Sequence, residues 1–192
     1  MKHPDPREAV GGSAAISLRT PIPTDGAAVH SLISRCPPLD QNSMYCNLLQ
    51  CTHWAETCVI AERDGRAVGF VSGFLVPERA DTLFVWQVAV AEEARGAGLA
   101  GRMLDALLER AACADVTRLE TTITRDNAGS WALFRRFAQR HDAALEESTL
   151  FDRERHFAGG HASEVLARIG PFASARTRTD CDEESSNERK SA

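Results

Sequence analysis

A chain of 192 residues, 43% of them hydrophobic, suits one α/β domain with a substantial core. Its net charge of −5 excludes a general nucleic-acid binder, and no apolar run is long enough to cross a membrane. The six cysteines (Cys36, Cys46, Cys51, Cys58, Cys113 and Cys181) form no C-x-x-C pair and have only His53 close by, so neither a metal site nor a catalytic thiol is expected. No signal peptide is visible, which sets free thiols in a reducing cytoplasm as the expectation.

Residues 1–14 are polar and unpatterned, a flexible lead to a domain expected over 15–172. Ile16–Thr20 reads as a short strand stopped by Pro21 and Pro23. Thr24 or Asp25 then caps a helix carrying Val29, Leu32 and Ile33. Pro37 and Pro38 stiffen the following loop, which ends at Asp40. Asn42 or Ser43 caps a second helix bearing Tyr45, Leu48 and Leu49. Asp40 reads in two ways, as a turn or capping aspartate or as an anion that receives an ammonium group. Cys58–Glu62 and Ala67–Val76 form a hairpin about Asp64-Gly65, and a turn at Pro77–Asp81 leads to an apolar strand, Leu83–Val90.

Arg95, Gly96, Ala97, Gly98, Leu99 and Ala100 follow in the pattern R-x-x-G-x-A, opening a helix that carries Leu99, Met103, Leu104, Leu107 and Leu108 to about Cys113. The first amides of a helix lack internal partners and sit at the positive end of its dipole, and glycines let a bulky anion approach them. A phosphate-bearing ligand can rest there; the plainer alternative is a glycine-softened turn with no ligand. The turn is neither a P-loop, lacking G-K-[ST], nor G-x-G-x-x-G.

Arg118–Thr124 alternates as a strand, and Asp126-Asn127 starts a helix with Trp131, Leu133, Phe134 and Phe137. Ala143–Phe151 is a late strand and Gly159-Gly160 a flexible joint. His161-x-x-Glu164 is read at i, i+3 on one helix face. Residues 173–192 lack any aliphatic side chain larger than Ala and are expected to be a disordered tail.

Val88-Ala89-Val90 followed by Arg95-x-x-Gly98-x-Ala100 resembles the acetyl-CoA motif of the GNAT superfamily of N-acetyltransferases. The resemblance implies the GNAT acyltransferase fold, α/β (α+β), with a mixed central sheet flanked by helices in the order β-α-α-β-β-β-α-β-α-β. It implies acetyl-CoA as co-substrate, held by Val88, Val90, Arg95, Gly96, Gly98, Ala100 and Asn127. Phe134 stands where the superfamily often carries a tyrosine near the thioester sulfur, and a phenyl ring cannot donate a proton.

Four further pieces narrow the resemblance: Cys36-Pro37-Pro38-Leu39-Asp40-x-Asn42-Ser43-x-Tyr45, Phe84-x-Trp86-Gln87-Val88-Ala89-Val90, Thr122-Ile123-Thr124-x-Asp126-Asn127, and His156-Phe157 with His161-x-x-Glu164. They are similar to the L-2,4-diaminobutyrate acetyltransferases over about residues 16–172. That family implies acetyl transfer to the γ-amino group of diaminobutyrate in ectoine synthesis, a compatible-solute pathway of osmotic stress, by a cytoplasmic homodimer without metal, nucleic-acid or membrane partners. Such a substrate carries two ammonium groups, so Asp40 and Glu164 are expected to grip them, one also accepting the proton. Tyr45 adds a hydroxyl, Trp86 a wall or cation–π face, projecting two residues before Val88 to the same face of the strand, and His161 a donor or acceptor. Arg125 and Arg155 are the arithmetic candidates for the substrate carboxylate. The rival readings are a GNAT enzyme for another amine and a silent CoA-binding module.

Overall fold

The structure, a computed structural model, describes residues 15–177. The expected lead at 1–14 and most of the expected tail, 178–192, lie outside the described residues. The strands are β1 (Ser17–Arg19), β2 (Cys58–Arg63), β3 (Arg66–Val76), β4 (Arg79–Val90), β5 (Arg118–Thr124), β6 (Leu145–Phe151) and β7 (Glu164–Ile169). The helices are α1 (Gly26–Ser34), α2 (Met44–Gln50), α3 (Leu99–Leu108), α4 (Ala128–Arg140) and α5 (Arg153–Phe157). The strands form one mixed sheet in the order β1-β2-β3-β4-β5-β7-β6, in which only β4 and β5 run parallel.

Several boundaries differ from the sequence reading. β4 starts at Arg79 because the turn needs only Pro77 and Glu78. α3 ends at Leu108, and Cys113 sits in a separate 3-10 turn, still buried. Asp25 precedes α1 without capping it; its carboxylate binds Arg19 at 2.6 and 2.9 Å and the Ile22 amide at 2.7 Å. Ser43 does cap α2, accepting from the Cys46 amide at 3.2 Å. The chain stays packed beyond residue 172: Ser174 is buried, and Arg176 reaches Ala114 O from its amide and Asp115 from its side chain.

The largest correction is at the end of the chain. Glu164 opens a strand, β7, inserted between β5 and β6, so His161 and Glu164 do not share a helix face. A second correction concerns α2, which turns its polar side inward. Asn47 and Gln50 are fully buried while Tyr45 is 69% exposed. His30 Nδ1 donates to Asn47 Oδ1 (3.1 Å), Asn47 Nδ2 to Gln50 Oε1 (2.9 Å), and Gln50 Nε2 to Ser72 Oγ (3.4 Å). That chain satisfies each buried amide and ties α1 and α2 to β3, outweighing the apolar pull of Met44 and Leu48.

The sheet opens where the site lies. β4 and β5 pair at Thr82–Arg118, Leu83–Leu119 and Phe84–Glu120, and no further. Glu120, 2% exposed, is clamped there by Arg79 (2.6 and 3.0 Å) and Arg168 (2.7 Å), joining β4, β5 and β7 at the vertex. Just beyond it β4 bulges: Ser72 pairs with Gln87 but Gly73 with Val85, leaving Trp86 as the extra residue. Gly73 is required there, since a Cβ would stand 2.7 Å from Phe84 O.

The bulge resets the alternation. Val88 and Val90 pair with Val71 and Gly69, whose face carries Met103 of α3. Gln87 pairs with Ser72, on the face that carries Gln50 of α2. Trp86 packs at a tilt against Trp54 (centroids 5.9 Å apart), which also touches Phe74, on the α2 face. Trp86 and Val88 therefore project to opposite faces, contrary to the simple period-two count.

Candidate active site

A cavity of about 440 Å³ fills the opening between β4 and β5 and runs from one face of the sheet to the other. On the α3–α4 face it is lined by Val88, Thr121, Ile123, Ser130 and Phe134. On the α2 face it is lined by Asp40, Trp86, Gln87, Thr122, His161 and Glu164.

The loop that carries Asp40 is held in place at both ends. Cys36 Sγ donates to Val90 O (3.4 Å), Gln87 Nε2 to Asp40 O (2.8 Å), and Asn42 Nδ2 to Gln87 Oε1 (3.3 Å). Gln87 thus works as a bracket between β4 and the loop. Its position inside an apolar run carried no such signal, and neither did Asn42, because each acts through a partner about 45 residues away.

Asp40, His161 and Glu164 converge although 124 residues separate the first from the last. His161 Nδ1 donates to Ala162 O at 2.7 Å, since a carbonyl can only accept. In the neutral ring Nε2 is then the lone-pair nitrogen, and it faces Asp40 Oδ2 at 3.9 Å. Glu164 Oε1 stands 4.0 Å from Nδ1. The two carboxylates differ: the Asp40 side chain is 85% exposed, that of Glu164 only 17%. Burial pushes the Glu164 carboxyl above its ordinary value of 4.5, with Asp40 adding to the rise, while a hydrogen bond from Thr122 and the charge of His161 oppose it. Asp126 also lines the cavity, its carboxyl held low by the Thr124 hydroxyl.

Among the described residues no lysine or arginine lines this cavity. Arg125 lines a separate hollow with Trp131 and Arg135, and Arg155 is an exposed residue of α5. Neither of these arithmetic candidates for the substrate carboxylate lines the cavity. Tyr45 is also outside: it lies on the outer side of α2 and does not line the cavity.

The turn before α3 matches its expected geometry. Gly96 and Gly98 take φ +80° and +70°, and a Cβ at either would meet nothing within 4 Å, so the space above the turn is open. The first amide to close on the helix is that of Arg102, onto Gly98 O at 3.1 Å, which leaves the amides of Leu99, Ala100 and Gly101 without main-chain partners. Arg95 folds back instead, its Nε donating to Val90 O at 3.1 Å. Beside the turn, the edge of β4 from Val85 to Val90 is unpaired toward β5. Asn127 caps α4, its Oδ1 accepting from the Ser130 amide at 3.0 Å, and it lines the cavity. An open anion cradle leading to a free strand edge fits a pyrophosphate followed by an extended amide-bearing arm.

The sequence profile of the Acetyltransferase (GNAT) family matches residues 27–138. The L-2,4-diaminobutyric acid acetyltransferase of Methylotuvimicrobium alcaliphilum is 55% identical over 157 residues, 82% of this chain and 91% of the relative. That of Halomonas elongata is 46% identical over 175 residues, 90% of this chain and 91% of the relative. The chain belongs to the L-2,4-diaminobutyric acid acetyltransferases. Among solved structures, the diaminobutyrate acetyltransferase of Paenibacillus lautus, in complex with its substrate L-2,4-diaminobutyric acid and coenzyme A, superposes with a TM-score of 0.80. It is 38% identical, and the match covers 84% of this chain and 98% of that one. The ribosomal-protein-S18-alanine N-acetyltransferase of Escherichia coli, at 14% identity and a TM-score of 0.61, shares the fold.

In this acetyltransferase Gly98 is the residue at which the phosphate cradle can be tested alone. Gly98→Val places a branched side chain at φ +70° and fills the open space over the turn. Losing charge-assisted main-chain bonds of about 1.5–3 kcal/mol predicts a KM for acetyl-CoA raised roughly 10–100-fold, with the amine KM unchanged. Steady-state kinetics check this, and an unchanged acetyl-CoA KM would move the pyrophosphate elsewhere.

Proposed function

We propose that this chain transfers the acetyl group of acetyl-CoA to the γ-amino group of L-2,4-diaminobutyrate. The products are N4-acetyl-L-2,4-diaminobutyrate and coenzyme A, the middle step of ectoine synthesis. The observation that carries the reading is electrostatic: a cavity with three carboxylates (Asp40, Asp126 and Glu164) and, among the described residues, no lysine or arginine suits a compact molecule with two ammonium groups. The relatives' activity supports the identity of that diamine.

The attacking nitrogen must be neutral. For an amine of pKa about 10.4, deprotonation at pH 7 costs roughly 4–5 kcal/mol, so a proton acceptor at the reacting end matters. The unequal burial of the carboxylates divides the work. Glu164, sheltered and raised in pKa, takes the proton, directly or through a water. Asp40, solvated at the mouth and fixed by Gln87, receives the other ammonium. Trp86 walls the α2 face with its ring against Trp54 and offers a cation–π surface. His161 stands between the two carboxylates, with Nε2 3.9 Å from Asp40 Oδ2 and Nδ1 4.0 Å from Glu164 Oε1. On the opposite face the unpaired edge of β4 near Val88 receives the acetyl-bearing arm and polarises its carbonyl with a main-chain amide.

A cytoplasmic setting and a homodimer belong to the same proposal. The apolar residues that α2 turns outward, Met44, Tyr45 and Leu48, and Leu150 and Phe151 at the end of β6, are surfaces a second copy would cover.

The test is thiol release from acetyl-CoA across L-2,4-diaminobutyrate, ornithine, lysine, putrescine and a peptide N-terminus. Each added methylene in a fitted site is worth about 1–3 kcal/mol, so kcat/KM should fall at least roughly 10-fold from diaminobutyrate to ornithine and further to lysine. Equal turnover of the peptide, or coenzyme A binding with no turnover of any amine, would overturn the assignment.

A further inference from the structure

We propose that the Ser130 hydroxyl donates the hydrogen bond that stabilises the departing coenzyme A thiolate. This rests on the acetyl-transfer reading and adds the group that serves the leaving side of the reaction.

When the amine attacks, the C–N bond forms and the C–S bond breaks with its electron pair going to sulfur. Glu164 has by then passed the first ammonium proton to solvent, so it takes the second as the amide forms. One proton is released overall, and the thiolate afterwards takes up one proton from solvent. Until then a sulfur anion stands at the α3–α4 side of the opening, among Val88, Ile123 and Phe134, which offer it nothing. A single donor beside those apolar side chains has a large effect.

Few donors can reach that side. The chain has one tyrosine, Tyr45, and it is on the outer surface of α2. Four hydroxyl residues line the cavity: Thr121, Thr122, Thr124 and Ser130. Thr122 and Thr124 alternate onto the opposite face of β5, and their hydroxyls are occupied by Glu164 and Asp126. Thr121 faces the α4 side, but it is 4% exposed within the strand. Ser130 lies one turn before Phe134 on the cavity face of α4, partly open to the cavity. Its amide is taken by Asn127 Oδ1, which fixes the backbone, while its hydroxyl has no hydrogen bond among the described residues. An uncommitted hydroxyl on a fixed backbone, in the lining of the cavity, is available to a charge that appears only as the reaction proceeds.

The experiment compares the full chain with Ser130→Ala, Ser130→Thr and Thr121→Val, reading thiol release from acetyl-CoA with diaminobutyrate and, separately, slow acetyl-CoA hydrolysis without amine. Hydrolysis breaks the same C–S bond, so its rate reports the leaving group independently of the amine. Ser130→Ala should lower kcat and the hydrolysis rate by roughly 10–50-fold, the effect of a hydrogen bond to a charged group, with both KM values within twofold of wild type. Ser130→Thr, which keeps the hydroxyl, should restore most of the rate. Wild-type rates in Ser130→Ala, an equal loss in Ser130→Thr, or a loss carried by Thr121→Val would each overturn the proposal while leaving acetyl transfer intact. A wild-type chain that releases no thiol with any amine would overturn both.

Discussion

Glu164→Gln is expected to lower kcat with diaminobutyrate by roughly 10²–10³-fold at neutral pH, the usual worth of a positioned proton acceptor. The amide keeps the shape of the side chain and its contact with Thr122 but cannot take a proton. The pH profile separates this from a packing defect. In the wild type burial raises the Glu164 carboxyl above 4.5, so the acidic limb of kcat/KM should lie above that pH and vanish in the variant. The variant must use amine that is already neutral, so its rate should climb about tenfold per pH unit toward the amine pKa near 10.4.

Stability moves the other way. A carboxyl whose folded pKa is raised favours the folded state below its unfolded pKa, and that contribution is lost as pH rises through the folded value. At neutral pH ionised Glu164 therefore weighs against folding, and Glu164→Gln should melt at an equal or higher temperature than wild type. A variant that loses both activity and Tm would show that Glu164 supports the sheet and would return the base role to Asp40.

Glu120→Ala should cost about 3 kcal/mol of stability, a fall in Tm of roughly 6–12 °C for a domain of this size. Glu120 is buried between two guanidinium groups, and its loss leaves Arg79 and Arg168 facing each other across the place where β4 leaves β5. The arginines are 45% and 44% exposed and can turn to water, which holds the cost below that of a fully buried pair. Arg79 and then Arg168 hold the Glu120 carboxyl below its ordinary 4.5, so this contribution is present above that pH and is lost as pH falls through the depressed value. Because the clamp sits at the vertex of the opening, KM for acetyl-CoA should rise together with the loss of Tm. Calorimetry across pH 3–7 and kinetics below the melting range check both, and unchanged melting would reduce the clamp to a surface feature.

The sequence carried the glycine turn before α3 well. The pattern of strand, glycine turn and amphipathic helix is local: Gly96 and Gly98 take positive φ, the amides of α3 lie open, and Leu99 to Leu108 face the core within about twenty-five residues of one another. Local chemistry also showed the caps at Ser43 and Asn127 and the Asp64-Gly65 turn, both of whose residues have positive φ. The amine half was carried only as a set of residues to bring together. Asp40, Trp86, His161 and Glu164 do line one cavity, but their arrangement rests on pairings that no spacing reports.

By itself, then, the sequence determined the order of elements up to α4, the turn that can cradle phosphates, and the family to which the chain belongs, because each is written in contiguous residues whose propensities agree. Only the tertiary structure decided which way those residues face. A one-residue bulge against Gly73 sends Trp86 and Val88 to opposite faces of the sheet. A chain of buried amides turns α2 inside out and leaves Tyr45 outside the cavity. The insertion of β7 beside β5 sets Glu164 on a strand against Thr122. Each is a contact between segments tens of residues apart, and its energy exists only once the sheet has closed around it.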